Sequence, residues 1–332
     1  MNRFLKMFML LVVATSVSYG AGKVTGASEH EAPSWFKQSF LDISEDVNEA
    51  TKANKHLMLF VDLDGCPYCT KMLKESFGAK NSTSAFIKKH FDVINLNVKG
   101  SRELTWKGKS MSEKEFAIDL RIQYSPTILF LDKDKNVVLK LNGYRTPESF
   151  KTILEYIDGK HYKTKTLSEY LEIVKNKSLK SETKNKTTKK MEDLSKIGSP
   201  LAIIFEEKKS KSSKEFNQVL LKNKDVQKEL SKFTVVRFDA NSNEEFIGVD
   251  GVKTTPKGFL KSINLDYRPG VLLYNDKKLI STMDALLYSF HFKELLRYVS
   301  EEEYKYFNTY LDYLAVRQKE LTEAGVDIDL SK

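Results

Sequence analysis

Cys66-Pro67-Tyr68-Cys69 holds the only two cysteines of the 332-residue chain, and its flanks restrict what can surround it. Upstream, His56 to Asp62 is a short apolar run with polar ends, the pattern of a buried strand. Downstream, Pro67 suits the first position of a helix, where its missing N–H costs nothing, and this makes Cys66 the cap. Cys69, Met72, Leu73 and Phe77 then fall at helical spacing along one face. This places Cys69 on the buried stripe and Cys66 exposed at the positive end of the helix dipole. A thiol there has a depressed pKa and a larger thiolate fraction, and the thiolate is the reacting species. Two intervening residues allow a disulfide, a dithiol or a soft-metal site.

A second signal lies in Gln123-Tyr124-Ser125-Pro126-Thr127-Ile128-Leu129-Phe130, where Pro126 opens an apolar strand run. Strand, CPYC, helix and a later X-Pro before a strand resemble the thioredoxin superfamily. In that family the proline is cis and lies against the CXXC, so Ser125, Pro126 and Thr127 are the matching segment. The stretch from Trp35-Phe36 through Asp64-Gly65-Cys66-Pro67-Tyr68-Cys69 to Leu141-Asn142-Gly143-Tyr144-Arg145 is, more narrowly, similar to SoxW-type periplasmic thioredoxins. Their buried carboxylate six residues before the first cysteine is Phe60 here, with Asp62 and Asp64 the nearest acids, so the proton acceptor for Cys69 is undefined.

The remaining elements fit the same order. Trp35 to Lys52 is a predicted helix with Ile43, Val47 and Ala50 on one face, and Phe91 to Val98 is a second strand. Ser112-Glu113-Lys114-Glu115 is a capping box for a helix ending near Gln123. Thr127–Leu131 and Asn136–Leu141 form a hairpin across Asp132-Lys133-Asp134-Lys135, and Phe150, Ile153, Leu154 and Ile157 line a closing helix. Residues 191–300 repeat the order, Leu201–Phe205 matching Leu57–Val61 and Arg268-Pro269 matching Ser125-Pro126. The predicted fold is therefore α/β, with tandem thioredoxin-like domains, each a mixed sheet flanked by helices. Aligning Phe205 on Phe60 puts Lys211 and Lys214 at the cysteine positions, so the second copy lacks the CXXC. It docks a partner or serves as packing.

The expected boundaries are a signal peptide at 1–20, the CPYC domain at 30–160, and a helix with a lysine-rich linker at 161–192. The degenerate domain spans 193–300 and a C-terminal helix 301–332. Arg3 and Lys6 precede an apolar run from Met7 to Val17 that is short for a membrane span, and Ser18-Tyr19-Gly20 suits cleavage. Residues 1–20 thus predict export to the periplasm, with an uncleaved anchor as the alternative. Losing Arg3 and Lys6 lowers the net charge from +9 to +7. Much of the excess is in Lys175, Lys177, Lys180, Lys184, Lys186, Lys189 and Lys190, a linker composition without the interleaved aromatics of a nucleic-acid patch.

Other candidates are weaker. His30, His56, His90, His161 and His291 have no ligand spacing and read as surface or capping residues. No glycine-rich phosphate loop is present, and Trp35 and Phe36 read as core ahead of a lip of the site. The leading expectation is a periplasmic thiol:disulfide oxidoreductase that reduces protein disulfides. Cys66 attacks, Cys69 resolves, and Pro67, Tyr68, Ser125, Pro126 and Thr127 meet the substrate. Its cofactor is none beyond the redox-active disulfide, and its resemblance implies a membrane electron donor of the CcdA or DsbD type. An oxidase or isomerase of the same fold, and a thiol- or metal-binding docking module, are the alternatives.

Overall fold

A computed structural model describes residues 21–78, 80–178, 192–207 and 210–332. The leader-like residues 1–20 and Lys180, Lys184, Lys186, Lys189 and Lys190 lie outside them. Two four-stranded sheets carry the described chain. In the first, Phe91–Asn97 lies beside His56–Asp62, followed by Thr127–Leu131 and Val137–Asn142. The first pair is parallel and the other two antiparallel. The second sheet repeats this as Thr234–Asp239, Leu201–Glu206, Gly270–Asn275 and Lys278–Met283, again one parallel pair and two antiparallel. The tandem arrangement expected from the repeated punctuation is thus present.

Both central strands are buried on both faces, which is why they read as continuous apolar runs. Along His56–Asp62 the period of two sends Met58 and Phe60 to one core and Leu57, Leu59 and Val61 to another. Ala202 and Ile204 of the second sheet join Met58 and Phe60 in a single apolar cluster. The two domains therefore share a continuous core, with the remaining faces covered separately.

Several boundaries differ from the expectations. The first helix is Ile43–Lys52, not Trp35–Lys52, because Leu41 takes φ 65° and the Asp42 carboxylate caps the N–H groups of Ser44 and Glu45. The capping box of Ser112 and Glu115 forms in both directions, yet its helix stops at Asp119, before Arg121 at φ 49°. An unforeseen hairpin, Glu103–Trp106 with Lys109–Ser112, turns at Lys107-Gly108 and carries Trp106 onto Phe116.

The tail is not one helix from 301 to 332. A short 3₁₀ turn at Glu303–Lys305 precedes the helix Tyr310–Glu323, which starts where the Thr309 hydroxyl accepts the Asp312 N–H. The chain then ends in a strand, Ile328–Asp329, parallel to Val24–Thr25. In the linker region, residues Leu167–Ser178 are helical.

Candidate functional site

Cys66 and Cys69 form a disulfide with Cα atoms 5.3 Å apart, an ordinary span for such a bond. Cys66 is the N-cap of helix Pro67–Met72, its Sγ accepting the Cys69 N–H at 3.1 Å, with Pro67 in the first turn. A π-helical segment, Leu73–Gly78, continues that helix and buries Leu73 and Phe77. Gly65 precedes the cap at φ 76°, a left-handed turn that lets the chain leave the strand and enter the helix.

The Ser125–Pro126 segment lies against the pair. Its peptide bond is cis, the Ser125 carbonyl oxygen is 3.4 Å from Cys66 Sγ, and the Ser125 hydroxyl is 3.0 Å from Cys69 Sγ. Pro126 in turn accepts the Gly143 N–H, at 2.6 Å. The Ser125–Pro126 loop therefore lies between the two sulfurs and the 142–145 loop, which reaches it through Gly143.

Strand, cysteine-capped helix, cis-proline loop and sheet order coincide with a family match over residues 43–158, to the thioredoxin-like domain. Residues 43–158 are a thioredoxin-like domain. A thioredoxin-fold protein from Helicobacter pylori is 27% identical, covering 37% of this chain and 81% of its own, with a TM-score of 0.33. A thioredoxin from Thermus thermophilus is 22% identical, covering 35% of this chain and 84% of its own, at 0.28. The first two thioredoxin domains of Saccharomyces cerevisiae Eps1p cover 75% of this chain and 90% of their own at 13% identity and 0.25. No curated protein matches the chain. A CXXC pair at disulfide distance in this domain supports thiol–disulfide exchange in general.

The exposure of the predicted residues departs from expectation. Cys66 is 6% exposed, Tyr68 4% and Cys69 0%. Pro67, Pro126 and Thr127 are buried too, and only Ser125 among the seven is half-buried. The expectation of an exposed Cys66 fails because two other parts of the chain close over its loop. On one side Ser28 N–H donates to the Gly65 carbonyl, and the Thr70 hydroxyl donates back to the Ser28 carbonyl. On the other side Tyr68 is held by the second domain. Its ring stacks on Tyr288 at 4.7 Å, its hydroxyl accepts the Tyr288 N–H at 2.7 Å, and it lies 3.0 Å from His291 Nδ1. The Thr127 hydroxyl donates to the Tyr124 carbonyl at 2.7 Å and braces the loop from inside.

Two histidines that read as surface or capping residues belong to this region. His30 Nε2 is 3.0 Å from the Asp62 carboxylate, and its Nδ1 is 3.2 Å from the Thr70 hydroxyl, which also reaches the Cys66 carbonyl. The bond to Asp62 raises the His30 pKa, against the opposing effect of burial. His291 is buried under Tyr68, and desolvation pushes its pKa down to about 4. Neither contact has a sequence signal, since the partners are 32 and 223 residues apart. Phe60, at the place of the family's carboxylate, is fully buried among Phe36 and Phe77. Trp35 and Phe36 pack there as core, Trp35 stacking on Phe77.

The second domain has a close counterpart of the cap, one residue from the expected alignment. Ser210 caps helix Lys211–Gln218 and accepts the Ser213 N–H, as Cys66 accepts that of Cys69. Ser210 and Ser213, not Lys211 and Lys214, therefore stand at the cysteine positions. Arg268–Pro269 is cis, like Ser125–Pro126. Among the described residues, no group of three or more His, Cys, Asp or Glu is arranged to hold a metal ion.

Proposed function

We propose that the chain is an exported thiol:disulfide oxidoreductase working as a reductase, in the manner of the SoxW-type proteins it resembles. The observation that supports it is the Cys66–Cys69 pair at a helix N-terminus with the Ser125–Pro126 loop against both sulfurs. In the dithiol, the cap position and the dipole favour the Cys66 thiolate over that of the wholly buried Cys69. Cys66 attacks one sulfur of the substrate disulfide, and the other leaves as a thiolate that takes up a proton. The Cys69 thiolate then attacks Cys66, re-forms the internal disulfide and releases the second substrate thiol. Two electrons pass from protein to substrate in each cycle.

The oxidised pair must be returned to the dithiol by a reductant. In the periplasm, for which the leader-like residues 1–20 speak, a membrane-borne dithiol carrier of the CcdA or DsbD type fits. Insulin reduction under a supplied dithiol reductant tests the reading, with Cys66→Ser inactive and the parent active. Equal inertness of the two proteins toward both insulin and a small aromatic disulfide sinks it. Equilibration with glutathione fixes the direction, a potential near that of thioredoxin marking a reductase and one near that of DsbA an oxidase. Cys69→Ser captures the substrate as a mixed disulfide.

A further inference from the structure

The second domain contacts the CPYC segment, the cis-proline loop and the 142–145 loop behind it. Besides the grip of Tyr288 and His291 on Tyr68, Ala285 packs on Gly143 so closely that a Cβ there would lie 2.2 Å from the Ala285 Cβ. Arg145 donates to the Asp284 carbonyl at 2.8 Å, and Asn142 to the Asp284 carboxylate at 3.0 Å. Tyr124, next to Ser125, donates to the Thr282 carbonyl at 2.9 Å. A stretch of ten residues, 282–291, thus contacts the CPYC loop, the cis-proline loop and the 142–145 loop together. These are the surfaces through which a disulfide-bearing segment would have to approach Cys66 and lay its backbone beside Ser125.

We propose that this stretch, through Tyr288 and His291, determines the substrate specificity of the pair. It admits disulfides carried on small molecules or slender extended segments and holds off those set in a folded surface. The inference rests on the exchange chemistry proposed above, and names the substrate class for that same site. The physical basis is steric. A folded protein presents its disulfide within a broad surface, and that surface meets the Tyr288–His291 helix start before its sulfur meets Cys66. A slender segment passes beside Ser125, the half-buried member of the site. A role as mere packing would leave the reactivity of Cys66 independent of the girth of its partner.

The test measures girth directly, in the full-length chain with Cys69→Ser so that a single thiol remains. Cys66 is alkylated by N-ethylmaleimide and by a maleimide carried on a small folded protein, and the ratio of bulky to small rates is taken. With this 282–291 roof intact the ratio is well below one. Tyr288→Ala, which removes the stacked ring, raises it about tenfold, while Tyr288→Phe, which keeps ring and N–H, leaves it where it was. If Tyr288→Ala does not fold, His291→Gln in its place raises the ratio about fivefold. With both cysteines present, the kcat/KM for insulin relative to a small aromatic disulfide shifts in the same direction. A ratio near one in the parent, or one unchanged by Tyr288→Ala in protein with unaltered circular dichroism, overturns the proposal. Failure of the exchange reading looks different: neither disulfide is reduced, whereas the maleimide ratio still reports the roof.

Discussion

Ser125→Ala removes the one side-chain hydroxyl found within hydrogen-bond distance of Cys69 Sγ among the described residues, 3.0 Å away. During resolution Cys69 must become a thiolate while it is 0% exposed to water. With Phe60 at the place of the family's carboxylate, the Ser125 hydroxyl is the group positioned to donate to that charge. A hydrogen bond to a charged group contributes about 1.5–3 kcal/mol. The lower figure suits a hydroxyl facing a large sulfur, and about 1.4 kcal/mol is tenfold in an equilibrium or a rate. Resolution of a preformed mixed disulfide is therefore expected to slow about tenfold in Ser125→Ala, read by quenched-flow release of the substrate thiol. Attack by Cys66 engages the Ser125 carbonyl, which the substitution keeps, so its rate should change by less than about twofold. Equal slowing of both steps, or none of resolution, refutes Ser125 as the donor.

His291 has a folded pKa near 4 against an ordinary 6.5, so the unfolded chain takes up its proton first as the pH falls. Stability present above about pH 6.5 should then be lost toward pH 4, by roughly 3 kcal/mol at most, with thermal unfolding as the measure and His291→Gln flattening the profile. Gly143→Ala sets a side chain at φ 68° and against Ala285, and should destabilise the chain by about 2 kcal/mol in denaturant titration. An unchanged midpoint would mean that the domains are not in contact there.

Much of the first domain was legible in the sequence because its signals are local. Pro67 after Cys66, the apolar run at 56–62 and the capping box at 112–115 each act within a few residues, and each produced the expected element. The misread boundaries have conformations with weak sequence signatures. Leu41 and Arg121 adopt positive φ without being glycine or asparagine, so the helices they bound are shorter than the periodicity predicts. The exchange of lysines for Ser210 and Ser213 at the cysteine positions is a one-residue slip that only cap geometry corrects.

The sequence by itself determined that two repeats of one α/β unit are present, and that only the first can exchange disulfides. Alternating apolar residues, the X-Pro pairs and the cysteine count settle this within short windows of chain. Tertiary structure alone decided how reachable the sulfur is. Tyr68 meets His291 across 223 residues and Tyr288 across 220, and Ser28 meets Gly65 across a gap that no periodicity spans. Helical spacing tells which side of a helix faces its own sheet. Whether a second domain then covers the other side depends on packing between distant surfaces, for which a sequence pattern carries no register.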